Sequence, residues 1–155
     1  MSVVSEKVAV RRMRAGDEDV LNRLFVDIVQ SLPYYNETAK RSEIAKYTPQ
    51  LLREHVKKDP DSVLVAHLAE KLVGFCFSNM DDGLVWLAWF GVHPSYRKHG
   101  VGRALLERLD ETVRSRRSHK IWCDCRTENE ASKIVLARHG YAAPLPLEFD
   151  PSSEA

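Results

Sequence analysis

Residues 84–126 constrain the fold more than any other stretch of the chain. Leu84–Val92 reads LVWLAWFGV, an uncharged and almost wholly apolar run, as expected of a central strand covered on both faces. Lys120–Arg126, KIWCDCR, alternates in character and predicts another strand. Between them Val101, Leu105, Leu109 and Val113 recur at every fourth position with Leu106 alongside, which makes Gly100–Arg114 a helix. Strand, helix, strand in that order gives one right-handed crossover with parallel neighbours.

The segments upstream predict a different pairing. Ser62–Ala69 and Leu72–Ser78 are strand patterns separated only by Glu70-Lys71, and the turn cluster Asn79–Gly83 contains the Asp-Gly pair of a hairpin. These form an antiparallel meander into Leu84–Val92. At the start of the chain, Val8–Met13 predicts a short strand and Asp17–Val29 an amphipathic helix behind the acidic stretch AGDED. Short helices are expected at Ser42–Tyr47 and Pro49–Lys57, the second opened by its proline. Past the second parallel strand, Thr127-Glu128-Asn129-Glu130 matches a capping box before a helix that carries Ala131, Ile134, Val135 and Arg138 and stops at Gly140. Residues 141–149, with Pro144 and Pro146, read as an edge strand, and 150–155 as a loose tail. The expectation is one mixed α/β domain over 1–155, with a core of about 8–149.

Composition narrows the function. A net charge of +1 argues against bulk capture of nucleic acid, so a cationic site has to be local. The basic run Arg114–Lys120 lies between a helix end and a strand, where cations complement the helix dipole; it is read as a solvated connector. Three cysteines, Cys76, Cys123 and Cys125, sit in strand patterns without a CxxC, which disfavours a disulfide framework or zinc; the six histidines are scattered without metal spacing. No metal is expected. The start MSVVSEKVAV lacks a signal-peptide core, and no apolar run approaches the ~20 residues of a membrane span. A cytoplasmic location is the default expectation.

The chemistry lies in the turn between strand and helix, VHPSYRKHGVGRA. A helix starting at Gly100 points unpaired backbone N–H groups into that turn, and glycines let a ligand approach closely. Together with Arg97, Lys98 and Arg103, these groups suit a phosphate or pyrophosphate. A plain strand-to-helix turn with solvated cations is the alternative. The turn is not a P-loop, because Arg103-Ala104 follows Gly102, nor a dinucleotide fingerprint, because Leu105 stands where a third glycine belongs.

Arg97-Lys98-His99-Gly100-Val101-Gly102 resembles the Arg/Gln-x-x-Gly-x-Gly/Ala motif of the GCN5-related N-acetyltransferases. Val92-His93-Pro94 is similar to the end of that family's fourth strand, and Asn129 through Gly140-Tyr141 to its Asn-x-x-Ala…Gly-Phe/Tyr segment. The resemblance implies a central, mostly antiparallel twisted sheet with one splayed parallel pair, flanked by helices. It implies acetyl-CoA as co-substrate, with the pyrophosphate on main-chain N–H groups of Arg97, Lys98, His99, Gly100, Val101, Gly102 and Arg103. Phe90, Gly91 and Val92 would lie along the acetyl and pantetheine end, where a backbone N–H polarises the thioester carbonyl, and Asn129 would bond the pantetheine arm. Tyr34, Tyr35 and Glu37 fall in the region that borders the acceptor in the family and are candidate substrate contacts; Glu148 is a weaker one.

Two departures leave the catalytic residues unassigned. Leu136 occupies the position of a proton-donating tyrosine, and Leu84–Val92 contains no carboxylate to act as base. His93 precedes a proline and is read as turn scaffold. Trp86, Trp89 and Phe90 either shape a pocket or belong to the core. The implied activity is direct acetyl transfer to a primary amine of a small molecule or peptide; the second reading is a non-catalytic acyl-CoA binder on the same fold. Homodimers are common in such domains, and no segment here locates an interface.

Overall fold

Five strands form a single sheet in chain order among the described residues: β1 Val8–Arg12, β2 Val63–Leu68, β3 Lys71–Asp81, β4 Leu84–Val92 and β5 Lys120–Cys123. The computed structural model describes residues 7–123 and 136–140. All neighbours are antiparallel except β4 and β5, which run parallel across α4 (Val101–Ser115), as the strand–helix–strand succession predicts. Helices α1 Glu18–Gln30, α2 Glu37–Ala45 and α3 Pro49–Lys58 connect β1 to β2.

Local chemistry accounts for where the elements begin and end. Helix α2 starts five residues earlier than the sequence suggests, because Asn36 accepts a hydrogen bond from the Ala39 N–H at 2.8 Å. Thr48 caps α3 from the Leu51 N–H at 3.2 Å, with Pro49 in the first turn. Strand β3 runs three residues beyond the expected Ser78, since the hairpin to β4 needs only Asp82 and Gly83, at φ +50° and +77°. Positive φ at both central residues is the type I′ geometry, whose twist matches the flanking strands.

The face of the sheet toward α1 carries an aromatic core. Phe25 of α1 meets Phe75 and Phe77 of β3 at ring distances of 5.6 and 5.3 Å, and Tyr47 stacks on Phe77 at 4.5 Å. Leu21, Val29 and Leu52 are fully buried around them. Burial holds the Tyr47 hydroxyl up at about 12, with the nearby Glu43 charge adding to it. On the other face, Leu105, Leu106 and Leu109 of α4 are fully buried, and each such side chain contributes about 1.5–3 kcal/mol by leaving water.

The C-terminal end of α4 is tied down by charge. The Arg116 guanidinium, 4% exposed, donates to Ser78 Oγ at 2.9 Å and lies 2.9 Å from the Asp59 carboxylate. Next to it, Arg12 pairs with Asp61 at 2.8 Å. Cys76 is fully buried in β3, and burial pushes its thiol up to about 12, as expected of a structural cysteine.

One expectation fails for β4. Val85 and Leu87 are buried, but Trp86, Trp89, Phe90, Gly91 and Val92 are only partly so, and Ala88 is exposed. Within the strand the register shifts: Phe77 opposes Trp89 while Ser78 opposes Leu87, so Ala88 is an extra residue in a β-bulge. Described pairing with β5 spans only Leu84–Leu87.

The chain divides into two compact units, Met1–Asp124 and Cys125–Ala155. In the second, residues 136–138 are helical and Gly140 follows at φ +101°. The end of the predicted strand at 124–126, the capping box at 127–130, Asn129, Cys125, Glu148, the edge strand and the tail lie outside the described residues.

Candidate active site

Strand β4 ends at Val92, and the His93 N–H donates to the Val73 carbonyl of β3 at 2.8 Å. Backbone groups alternate sides along a strand. The main-chain N–H groups of Phe90 and Val92 therefore point away from β3, toward the β5 side. Gly91 is required here by close approach: a Cβ would lie 2.7 Å from Phe75 Cζ and 3.2 Å from Ile28 Cδ1. Its bare backbone lets the core ring of Phe75 sit directly beneath the strand.

Past the strand, His93 begins a 3-10 turn, Pro94–Tyr96, and its Nδ1 accepts from the Ser95 N–H at 3.1 Å. His93 acts as a cap, in line with its reading as scaffold. Arg97, Lys98 and His99 then follow as exposed residues. Lys98 at φ +68° and Gly100 at φ +80° turn the chain sharply into α4. Gly100 is the N-cap residue of α4, in the left-handed region, and supplies no side-chain cap.

The first intrahelical bond of α4 is Ala104 N–H to Gly100 C=O at 3.0 Å. The N–H groups of Val101, Gly102 and Arg103 thus belong to the unpaired first turn. A Cβ at Gly100 would meet nothing within 4 Å, so the backbone here faces open space. Arg103 pairs with Glu107 at 2.9 Å, one turn further along the helix, which leaves Arg97 and Lys98 as the exposed cations of the turn itself. Uncapped N–H groups, the positive end of a helix dipole and exposed cations fit a phosphate group. The predicted residues 97–103 therefore run from the end of the 3-10 turn into the first turn of α4.

The predicted substrate contacts divide. Tyr34 and Tyr35 lie 5.5 Å apart by ring centroid, and Tyr35 reaches Trp89 of β4 at 5.7 Å. Glu37 opens α2 with an exposed side chain 3.8 Å from Lys40. The carboxylate that touches β4 is a different one: Trp89 Nε1 donates to Glu43 Oε1 at 2.8 Å. Glu43 lay inside the helix expected at Ser42–Tyr47, but its partner Trp89 is 46 residues away in sequence. Trp89 also packs edge-on against Phe25 at 5.4 Å, so it is both core and wall. Trp86 sits 6.1 Å from Trp122 of β5, which is half exposed.

Two grooves lie away from this region. One of about 320 Å³ is lined by Arg11, Arg14, Asp17, His67 and Glu70 among others, and one of about 290 Å³ by Arg12, Asp61, Arg108, Glu111, Thr112 and Ser115. Neither contains a residue of the glycine turn or of the edge of β4, whose chemistry is that of an open main-chain surface. Among the described residues no group of three His, Cys, Asp or Glu is placed to hold a metal ion, and no helix is long and apolar enough to cross a membrane.

Comparison with known proteins agrees with this architecture. An acetyltransferase of Sodalis glossinidius is 34% identical over 80 residues, which are 52% of this chain and 56% of that protein. One from Pectobacterium atrosepticum is 31% identical over 80 residues, 52% of this chain and 57% of the relative. The chain thus matches little more than half the length of these curated relatives. Among solved structures, the PaiA N-acetyltransferase of Thermoplasma acidophilum, in complex with coenzyme A, superposes with a TM-score of 0.78 over 94% of each chain at 17% identity. YncA of Salmonella typhimurium, solved with acetyl-CoA, gives 0.69 over 89% of this chain and 81% of its own, at 20% identity. At these identities the likeness establishes the fold. The pattern of the Acetyltransferase (GNAT) family matches residues 25–141, three quarters of the sequence and all of the strand–turn–helix unit, and the chain belongs to that family.

Proposed function

We propose that this protein, acting as one domain over 1–155, transfers the acetyl group of acetyl-CoA directly to a primary amine of a small molecule or peptide in the cytoplasm. The observation that carries the reading is the uncapped start of α4 behind left-handed Gly100, continuous with a bulged strand whose Phe90 and Val92 amides face away from β3. Residues 97–103 would hold the diphosphate by main-chain N–H groups, with Arg97 and Lys98 adding charge. Phe90, Gly91 and Val92 would support the pantetheine arm, and Asn129 would bond it.

Bound acetyl-CoA supplies an activated thioester: the amine nitrogen bonds to its carbonyl carbon, the C–S bond breaks, and CoA leaves as the thiol, the proton lost by the amine balancing the one the sulfur gains. The chain's part is binding, alignment and polarisation. A main-chain N–H on β4 stabilises negative charge on the carbonyl oxygen, a contribution of about 2.7–4 kcal/mol per well-placed donor. Alignment of amine and carbonyl replaces a bimolecular encounter in solution. Tyr34, Tyr35 and Glu37 border the acceptor on the α1 side.

Isothermal titration with acetyl-CoA, followed by an amine library monitored for free thiol, tests the proposal. Saturable binding and amine-dependent thiol release are expected. Absence of binding at millimolar acetyl-CoA would remove the cofactor assignment. The second reading, a non-catalytic acyl-CoA binder, draws on Leu136 at the position of the family tyrosine and on the acid-free β4. It predicts binding without thiol release above background hydrolysis.

A further inference from the structure

We infer that the acceptor is a dicationic amine, one nitrogen reacting beside β4 while the other, as an ammonium, is held by Glu43 at the far edge of the Trp89 indole. This deepens the acetyltransferase reading and rests on it. The argument begins at Trp89, which directly precedes Phe90, the residue whose N–H faces the proposed acyl position. Its indole leaves β4 on the α1 side, packing on Phe25 at 5.4 Å, and its far end donates to Glu43 Oε1 at 2.8 Å. The Glu43 carboxylate is therefore separated from the β4 main chain by the length of an indole. An ammonium bound there is not the nitrogen that meets a thioester lying along β4, so an acceptor using both sites carries two nitrogens.

The carboxylate is already arranged for such a group. With one oxygen engaged by the indole, Glu43 Oε2 takes the Lys46 ammonium at 2.6 Å. Lys46 is three residues on along the chain and its side chain is 57% exposed, while that of Glu43 is 22% exposed. An exposed pair of this kind contributes little to stability, so a soluble ammonium exchanges with Lys46 at small cost. Tyr35 lies 5.7 Å from the same indole by ring centroid, so Trp89 is held in place from that side as well. Glu37, by contrast, is 75% exposed and pairs with Lys40 at 3.8 Å.

The test uses the protein saturated with CoA and titrated with cadaverine (a linear diamine) or pentylamine, with acetyl-CoA affinity measured on the same preparations. Cadaverine is expected to bind about tenfold tighter than pentylamine, the scale of one charge-assisted contact. Glu43→Gln keeps an acceptor for the indole N–H and is expected to erase that preference without changing acetyl-CoA affinity. Lys46→Ala removes the competing ammonium and is expected to tighten cadaverine binding about two- to threefold. A role for Glu43 in docking α2 alone would produce neither change. Equal binding of the two amines, or a preference that survives Glu43→Gln, overturns the acceptor assignment while leaving the acetyltransferase reading intact. Failure of the wild-type protein to bind CoA or acetyl-CoA overturns both.

Discussion

Substituting Gly100 separates two roles that the turn combines. At φ +80° any residue with a Cβ is strained, at a cost of about 1–2 kcal/mol, yet a Cβ there meets no neighbour within 4 Å. Gly100→Ala and Gly100→Glu therefore incur the same backbone penalty and should lose stability alike, by roughly 3–6 °C in Tm for a domain of this size. They differ in charge. A carboxylate held about 6 Å from a dianionic diphosphate is repelled by about 0.7 kcal/mol per unit charge even at the dielectric constant of water. The sum, about 1.4 kcal/mol, is a tenfold difference in acetyl-CoA Kd, and it grows as water is excluded. Calorimetric titration of both variants, with circular dichroism to establish folding, is the assay. Gly100→Asn, which tolerates the left-handed region, should recover stability without the charge effect. Equal affinities for the folded Ala and Glu variants would refute the placement of a diphosphate against this turn.

Other consequences concern the frame around the site. Arg116→Met leaves the Asp59 carboxylate beside buried Ser78 without its guanidinium; a loss of about 3 kcal/mol is expected from urea unfolding, the low end for a broken buried pair because Asp59 keeps 25% exposure. For Asp61, burial raises the carboxyl, but the Arg12 hydrogen bond and the charges of Arg12 and Arg116 outweigh it, so its pKa lies below the ordinary 3.8. That contribution is complete above the unfolded value and is lost as pH falls through the lowered one; Arg12→Gln should therefore move the acid-unfolding midpoint upward, as followed by circular dichroism. Cys76, fully buried and with its thiol pushed up to about 12, should resist alkylation in the native protein at pH 8 and react only on unfolding, as read by peptide mass spectrometry.

Much of this architecture is written in local patterns. The four-residue recurrence from Val101 to Val113 and the apolar run before it specify a helix and a strand whatever lies elsewhere, because burial of each stripe is a property of that segment. The glycine turn is legible for the same reason: an uncapped helix start and a residue at positive φ are set by nearest neighbours. Asp82-Gly83 and Thr48-Pro49 are likewise short-range instructions, and the missed start of α2 lay in the equally local Asn36 cap.

What the tertiary structure alone decided is how distant segments meet. The bulge at Ala88 arises from the register between β3 and β4, which no local pattern of β4 encodes, and it interrupts a strand that its composition assigns to the interior. The pairing of Glu43 with Trp89 joins positions 46 residues apart, and it sets one carboxylate of many against the core of the sheet. Composition and periodicity report which side chains leave water. Which of them come to rest against one another depends on chain crossings whose energies are shared among many residues.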